Sequence, residues 1–288
     1  MKKFSDILIR YFDFHRRLVI LYQKHMQSRK LWIPLLCLLF ACKKECPECI
    51  ECEVPVEECK VDLKNGLLAY FPFNGNANDL SGKTHNGIPK NGTFFTTDFL
   101  GRANRAAGFD GIDDYIMVED SDSLTPANMT VSMMVMVNNT NRRHTFMNSV
   151  NFQTATAVNW GIGQSLDQTN KFDFAANTTG TNCNAGYVYN PANVVSSSEN
   201  MVTGRWYQLI VTFGEGKQRL YVDGDLKASS TRNFQNLKQC EAANLIIGGY
   251  WMNDIISIDG KMDEIRIYNR VLNDCELSEL SKVFIQQN

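Results

Sequence analysis

Residues 206–224, WYQLIVTFGEGKQRLYVDG, decide the fold of this chain. As far as Phe213, apolar residues recur with the period of two that a β-strand requires. Residues 214–216 predict a turn, and residues 220–222 predict a returning strand. The pair Asp223-Gly224 predicts a second tight turn, because it tolerates the positive φ of a hairpin. A meander of this kind is the building block of an antiparallel β-sandwich.

Length and composition favour one large, turn-rich β-domain behind an N-terminal appendage. The chain has 288 residues and a formal net charge of −2. A sandwich of roughly 220 residues buries about 70% of the surface that its unfolded chain exposes, so its core needs no metal or disulfide. No large basic block is present, so the sequence lacks the electrostatic signature of nucleic-acid binding.

Several further motifs surround the meander in a fixed order. They are GLLAYFPFNGNANDLSGKTHNG at 66–87, FDGIDDYI at 109–116, LIIGG at 245–249 and GKMDEIRIYNR at 260–270. Together with the meander they resemble the LamG-like jelly-roll domains of the concanavalin A-like lectin/glucanase superfamily. The resemblance implies an all-β sandwich over residues 66–288. One departure is Met134, at a strand position where the family pattern has tryptophan.

The end of the chain predicts a short helix. Asn273 and Glu276 have the spacing of a capping box, and Leu277 and Leu280 follow with helical spacing. Cys275 stands at a small-residue position of this helix, and we expect it to be a buried free thiol. Further upstream, Cys183 and Cys240 lie in separate loop-like regions, and a disulfide between them is expected.

The N-terminal region predicts a signal peptide that directs the protein to export. Residues 31–41 are an apolar run that is too short to span a membrane but has the length of a signal-peptide core. The run ends in LFAC, which resembles the lipobox of bacterial lipoproteins and implies a lipid on Cys42. Residues 26–41 are then the signal peptide. Lys43 lacks the aspartate pattern of inner-membrane retention, so the resemblance implies display on the outer membrane or the cell surface.

Residues 1–25 do not fit this signal, because a signal peptide has only a short basic segment before its apolar core. We interpret Met26 as the start of the signal and residues 1–25 as an upstream extension. The alternative is an amphipathic helix on a membrane surface.

A cysteine-rich tether, residues 42–65, follows the lipobox. Cys46, Cys49 and Cys52 have the spacing of an iron–sulfur or zinc ligand run, but Cys59 comes too late to complete it. The favoured interpretation is a spacer whose four thiols pair with each other or with a second copy. The sequence does not choose among the three internal pairings.

The resemblance also implies a structural calcium ion where the opening loop meets the closing strand. Its expected ligands are the side chains of Asp79 and Asp263, carbonyl groups near Gly82 and Thr84, and the side chain of Asn86. Hard oxygen donors of this kind are what Ca²⁺ prefers. The alternative is that Asp79 only hydrogen-bonds a tight loop and Asp263 only ends a strand.

Catalysis is not expected. A retaining glycosidase needs two carboxyl groups about 5–5.5 Å apart. Two residues before Asp263 the sequence has Lys261, and strand alternation predicts that Glu264 points to the opposite face. The chain is therefore interpreted as a non-catalytic module, with a divergent glycoside hydrolase relative as the remaining enzymatic alternative.

Aromatic residues in Asn- and Gly-rich segments predict carbohydrate binding, because sugars are held by aromatic faces and polar side chains. The candidates are Trp251, Tyr250, Trp160 and Tyr187, whereas Trp206 is expected in the core. The predicted partner is therefore a glycan. The alternative is an envelope protein, with the domain acting in adhesion or as a scaffold.

Overall fold

The computed structural model describes residues 59–119, 122–150, 158–164, 170–178, 193–231, 236–237, 239, 243–249 and 256–285. These residues lie within one compact unit, Glu58–Asn288. None of the helices in the described ranges combines the length and the apolar character that a membrane crossing requires.

The described strands form two antiparallel sheets, which confirms the predicted all-β fold. The eight-stranded sheet consists of β1 (Leu67–Phe71), β3 (Phe94–Thr96), β4 (Ala106–Asp110), β6 (Met129–Val137), β11 (Trp206–Gly214), β12 (Lys217–Val222), β13 (Asp225–Thr231) and β15 (Asp259–Tyr268). The seven-stranded sheet consists of β2 (Ile88–Lys90), β5 (Tyr115–Val118), β7 (Thr145–Val150), β8 (Val158–Gln164), β9 (Lys171–Ala176), β10 (Val194–Asn200) and β14 (Asn244–Ile247).

The meander at 206–224 is confirmed as β11, β12 and the start of β13. Glu215 and Gly216 both have positive φ in the first turn. Asp223 and Gly224 have φ of 53° and 86° in the second, as the sequence predicts. Two consecutive residues with positive φ match the right-handed twist of the flanking strands, so both turns hold a tight hairpin.

The core lies between the two sheets. Alternate residues of β11 point inward, and their partners come from β6 in the same sheet and from β8 and β9 in the facing sheet. These inward side chains form one contiguous buried cluster, which includes Val131, Met133, Val135, Trp160, Ile162, Phe172, Phe174, Tyr207, Leu209, Val211 and Phe213. Burial of this cluster is what holds the two layers together.

Strand β15, near the end of the domain, pairs with β1, the first strand of the domain, within the eight-stranded sheet. One edge of β15 pairs with β6. The other edge pairs first with β4, where Met262 lies opposite Ala107, and then with β1, where Ile265 lies opposite Phe71. A bulge interrupts the register at this change of partner, and Glu264 has a positive φ of 51°.

The predicted C-terminal helix is confirmed as α1 (Asp274–Ile285). The Asn273 Oδ1 atom accepts the backbone N–H of Glu276 at 2.9 Å, and Glu276 Oε2 accepts the backbone N–H of Asn273 at 2.9 Å. This reciprocal pair is the predicted capping box. Leu277 and Leu280 pack on Ile210, so the helix covers part of the outer face of the eight-stranded sheet.

The prediction of a free Cys275 is wrong, because Cys275 forms a disulfide with Cys59. Internal pairing of the tether thiols is therefore also wrong for Cys59. The reason is tertiary: Arg270 donates to the backbone carbonyls of Asp62, at 2.8 Å, and of Asn65, at 2.9 Å. Residues 59–65, which we call the N-terminal segment, are thus held against the start of α1 and bring the two thiols together.

We expect the double variant Cys59→Ser/Cys275→Ser to unfold at lower denaturant concentration than the oxidised protein, with a loss of about 2–4 kcal/mol. Removing the cross-link frees a long loop in the unfolded chain, and equilibrium denaturation measures the effect. Wild-type protein in reductant is the matched control and should resemble the variant. Equal stability of the oxidised wild type and the variant would contradict the contribution of this bond.

Candidate binding pocket and acidic groups

The side chain of Asp79 holds the opening loop, residues 74–87, in place through four hydrogen bonds. Its Oδ1 atom accepts the backbone N–H groups of Tyr70 at 2.9 Å and Ser81 at 2.8 Å. Its Oδ2 atom accepts the Ser81 hydroxyl at 2.9 Å and the His85 backbone N–H at 3.0 Å. Burial favours a raised pKa, but these four hydrogen bonds outweigh it and hold the pKa of Asp79 below its usual value.

Asp263 does not lie with the other four predicted calcium ligands. The four hydrogen bonds occupy the four lone-pair sites of the Asp79 carboxylate. Both the N–H and the C=O of Tyr70 bond to the loop, so the loop lies on one side of β1 and β15 on the other. Asp263 on β15 is therefore separated from Asp79 by a strand, and the proposed five-residue set is not one site.

The other predicted ligands, Gly82, Thr84 and Asn86, lie in the same loop as Asp79. Asn86 Oδ1 accepts the backbone N–H of Asp79 at 3.0 Å, which uses one of the two lone pairs of this oxygen. Gly82 and Thr84 have positive φ in the exposed part of the same loop. The described donors do not fit a Ca²⁺ ion shared with Asp263, and a calcium ion bound by the loop residues alone stays a prediction.

Asp263 is a buried acid without enough hydrogen bonds. Its Oδ1 atom accepts the backbone N–H of Glu264 at 2.7 Å, whereas no described residue bonds to its Oδ2 atom. Burial, together with the negative charges of Glu264 and Asp98, raises the pKa of Asp263 to about 8. The carboxyl group is therefore mostly protonated at neutral pH.

The prediction that Glu264 points away from the face of Asp263 is wrong. Met262 and Ile265 are in the core, and the two residues between them are both directed outward because the strand bulges there. The Glu264 carboxylate accepts the Tyr70 hydroxyl at 3.0 Å and an Arg266 N–H at 2.6 Å. Alternation fails at this point because the bulge contains one extra residue.

A pocket of about 160 Å³ opens on the outer face of the eight-stranded sheet. We call it the outer-face pocket. Ser132 and Met134 of β6 and Gln208 of β11 form its floor, since Gln208 and Met134 are paired across the two strands. Its sides are lined by Leu63, Phe99, Glu264, Arg266, Glu279 and Leu280.

The walls of the pocket come from distant parts of the chain. Leu63 belongs to the N-terminal segment, and Leu280 belongs to α1. Phe99, from the connection between β3 and β4, packs edge-on against Trp206, with 6.3 Å between ring centroids. Rigid strands thus carry the floor, and a disulfide-linked segment and helix carry one wall.

The pocket combines apolar surface with hydrogen-bonding groups. Gln208 donates from Nε2 to the Leu280 carbonyl at 2.6 Å, while no described residue donates to its buried Oε1 atom. Arg266 is held by Glu264 and by the Tyr70 ring, whose centroid lies 4.1 Å from its guanidinium carbon. An arrangement of apolar walls and a few fixed polar groups is typical of a small-molecule site.

A second acidic group lies at the turn between β4 and β5. The carboxylates of Asp110, Asp113 and Asp114 lie within 4.8 Å of one another. Asp114 accepts the backbone N–H of Gly92 at 2.6 Å and that of Asp110 at 2.9 Å, which makes it a structural brace of the turn. Burial and its two acidic neighbours raise the pKa of Asp114.

The prediction that the Trp160 ring binds a sugar is wrong. Its side chain is fully buried between the sheets, and its Nε1 donates to the Leu124 carbonyl at 3.1 Å, so its ring offers no face to a ligand. Trp251, Tyr250 and Tyr187 lie outside the described residues, as do the lipidation candidate Cys42 and the predicted disulfide partners Cys183 and Cys240.

Sequence reasoning missed the pocket. Phe99, Gln208 and Leu63 are far apart in the chain and belong to no common motif. The one available signal was Met134, where the family pattern has a larger tryptophan. A smaller side chain in a covered position of the sheet leaves space beside it, which is where the pocket lies.

We expect Asp79→Asn to lower the free energy of unfolding by about 1–3 kcal/mol at pH 7, because the amide leaves buried donors without an acceptor. The pKa of Asp79 is lowered in the folded state, so its stabilisation is present above the unfolded pKa and is lost as pH falls through the folded value. Denaturation curves should therefore converge for the two proteins at low pH. A deficit that persists unchanged under acid would contradict this role.

We expect Asp263→Asn to have the opposite pH dependence. Because the folded pKa is raised, the wild type loses stability as pH rises from about 4 to about 8, and the uncharged variant does not. Between pH 4 and pH 8, the free energy of unfolding of the variant should rise relative to that of the wild type by more than about 1.4 kcal/mol, which corresponds to one pKa unit. Parallel denaturation series at pH 4 and pH 8 measure it, and a constant difference would show that Asp263 ionises normally.

Comparison with solved structures shows the same sandwich in binding domains. Domain 4 of AbnA, an extracellular GH43 arabinanase from Geobacillus stearothermophilus solved in complex with arabinotriose, has a TM-score of 0.53 and 19% identity, over 75% of this chain and 98% of that one. The binding domain of Paraclostridial Mosquitocidal Protein 1 has a TM-score of 0.58 and 17% identity, over 79% of this chain and 54% of that one.

The binding domain of botulinum neurotoxin DC, solved in complex with SialylT, has a TM-score of 0.54 and 12% identity, over 77% of this chain and 52% of that one. The chain thus spans about half the length of the toxin domains that it matches. No curated protein sequence matches it significantly.

The family assignment rests on a match that includes β5, β6, the meander and the closing strand. The model of the concanavalin A-like lectin/glucanases superfamily, of the laminin G type, matches residues 109–278, more than half of the chain. The chain therefore belongs to the laminin G-type family of concanavalin A-like lectin/glucanase domains.

Proposed function

We propose that this protein is a non-catalytic carbohydrate-binding module. The observation that carries the proposal is the outer-face pocket, in which hydrogen-bonding side chains on rigid strands lie among apolar walls. A sugar presents both hydroxyl groups and C–H patches, and such a site complements both. The arabinotriose complex of the similar arabinanase domain supports the same class of ligand.

The acidic groups of the described residues support a binding role rather than hydrolysis. Asp263, the acid with a pKa suited to proton donation, is 1% exposed and does not line the pocket. Glu264 and Glu279 do line it, but the Glu264 carboxylate is engaged by Tyr70 and Arg266, and that of Glu279 by Lys282. A general acid must reach the leaving oxygen of its substrate, and Asp263 is not placed to do so.

We further propose that the module is exported and anchored in a bacterial cell envelope by a lipid on Cys42. The support is the sequence alone, namely the apolar run at 31–41 followed by LFAC. The cysteine-rich tether would then connect the anchor to the domain. Intact-mass analysis of the processed protein tests this, and a mature chain without lipid on Cys42 rules it out.

A second candidate is recognition of a protein in adhesion or as an envelope scaffold. It is favoured by the similar botulinum neurotoxin DC binding domain, which has also been solved in complex with rat synaptotagmin II. That neighbour, of which this chain matches 52%, therefore has a protein partner. In this case the loops or sheet faces, rather than the pocket, would carry the interaction.

A glycan array probed with the purified protein distinguishes the two candidates. We expect binding to one class of sugar, and we expect EDTA to leave binding unchanged because none of the predicted calcium ligands lines the outer-face pocket. If no glycan on the array binds and an envelope protein co-purifies with the chain, recognition of a protein partner would be favoured. Turnover of any polysaccharide would overturn the non-catalytic assignment.

A further inference from the structure

Within the proposed function, we infer that the outer-face pocket binds a single, uncharged sugar ring at the end of a glycan, and not an internal stretch of the chain. This inference rests on carbohydrate binding and adds to it the location of the site and the class of sugar. Three properties of the pocket lead to it, namely its size, its pattern of polar groups and its charge.

The size of the pocket sets the number of rings. A cavity of about 150 Å³ accommodates one benzene molecule, and sites for larger ligands begin at about 300 Å³. The outer-face pocket, at about 160 Å³, therefore has room for one six-membered ring. Leu63 and Leu280 border it on one side and Phe99 lines it too, so the ring enters as a terminal group.

The polar groups match a ring with hydroxyl groups. Gln208 Oε1 is a buried acceptor to which no described residue donates, and an unsatisfied buried acceptor costs about 1–3 kcal/mol. A ligand hydroxyl that donates to Oε1 would relieve this cost. Met134, whose flexible side chain lies across the strand pair from Gln208, can move to admit it.

Ser132 and Arg266 provide further hydrogen-bonding groups for the hydroxyls of the sugar ring. Ser132 on the floor can donate or accept, and Arg266 on the rim has N–H groups beyond the two that bond to Glu264. The apolar surfaces of Phe99 and Leu280 then face the C–H groups of the ring. This combination suits a polyhydroxylated ring better than a purely apolar one.

The charges of the pocket select against anionic sugars. Glu264 and Glu279 are both lining residues, and the guanidinium of Arg266 is already paired with Glu264 at 2.6 Å. Glu279 is likewise paired, with Lys282 at 2.6 Å, so a carboxylate on the sugar would meet no free cation among the lining residues. A charge that loses its water without gaining a partner is costly, so we infer that the ligand is uncharged.

The test compares two variants that place the same large side chain on the same face of β6. Met134→Trp fills the pocket, whereas Met136→Trp lies two residues away on the same face and does not line it. Calorimetric titration with the best glycan from the array should show binding weakened about tenfold or more by Met134→Trp only. A methyl glycoside of the terminal sugar should compete, and a uronic acid should not.

A second pair keeps the test valid if the first variant does not fold. Phe99→Ala removes one wall from a loop position, and Phe94→Ala, an exposed aromatic on β3 that does not line the pocket, is its control. Selective weakening by Phe99→Ala supports the inference. Glycan binding that survives both Met134→Trp and Phe99→Ala overturns it while carbohydrate binding stands. If no glycan binds at all, the proposed function itself has failed.

Discussion

The structure depends on the way in which β15 joins the first strand of the domain to its central strands. This strand pairs with β6 along one edge, and along the other edge it pairs first with β4 and then with β1. Two strands from different parts of the chain thus share a single edge. The register must change where one partner gives way to the other, and the bulge at Glu264 is where it does so. A positive φ at a glutamate costs of order 1–3 kcal/mol, and the pairing on both sides holds it in place.

That bulge explains the unusual chemistry on the outer face. It directs Asp263 and Glu264 to the same side of the sheet. Asp263 is closed off beside Asp98 and is left with an unsatisfied oxygen, which is why its pKa rises to about 8. Glu264 instead reaches the rim of the outer-face pocket, where it fixes Arg266. One backbone irregularity therefore yields both a neutral buried acid and a charged pocket wall.

The outer face is completed by elements that are not strands. The N-terminal segment and α1 are joined by the Cys59–Cys275 disulfide and by the hydrogen bonds of Arg270. They cover the apolar residues Ile210 and Tyr268 on one part of the sheet and leave the floor of the pocket open beside them. The attachment of the tether and the shape of the site are in this way coupled through the same covalent bond.

The sequence by itself determined the sandwich, because strand alternation, turn pairs and the capping box are local. Residues 206–224 and the Asn273–Glu276 cap both follow from neighbours within a few positions. Local reasoning fails where distant segments meet. It left Cys275 unpaired and placed the buried Trp160 at a ligand site. The family resemblance likewise joined Asp79 to Asp263, which β1 separates. Only the tertiary structure decided the disulfide, the direction of Glu264 and the pocket, since each depends on which segments pack side by side.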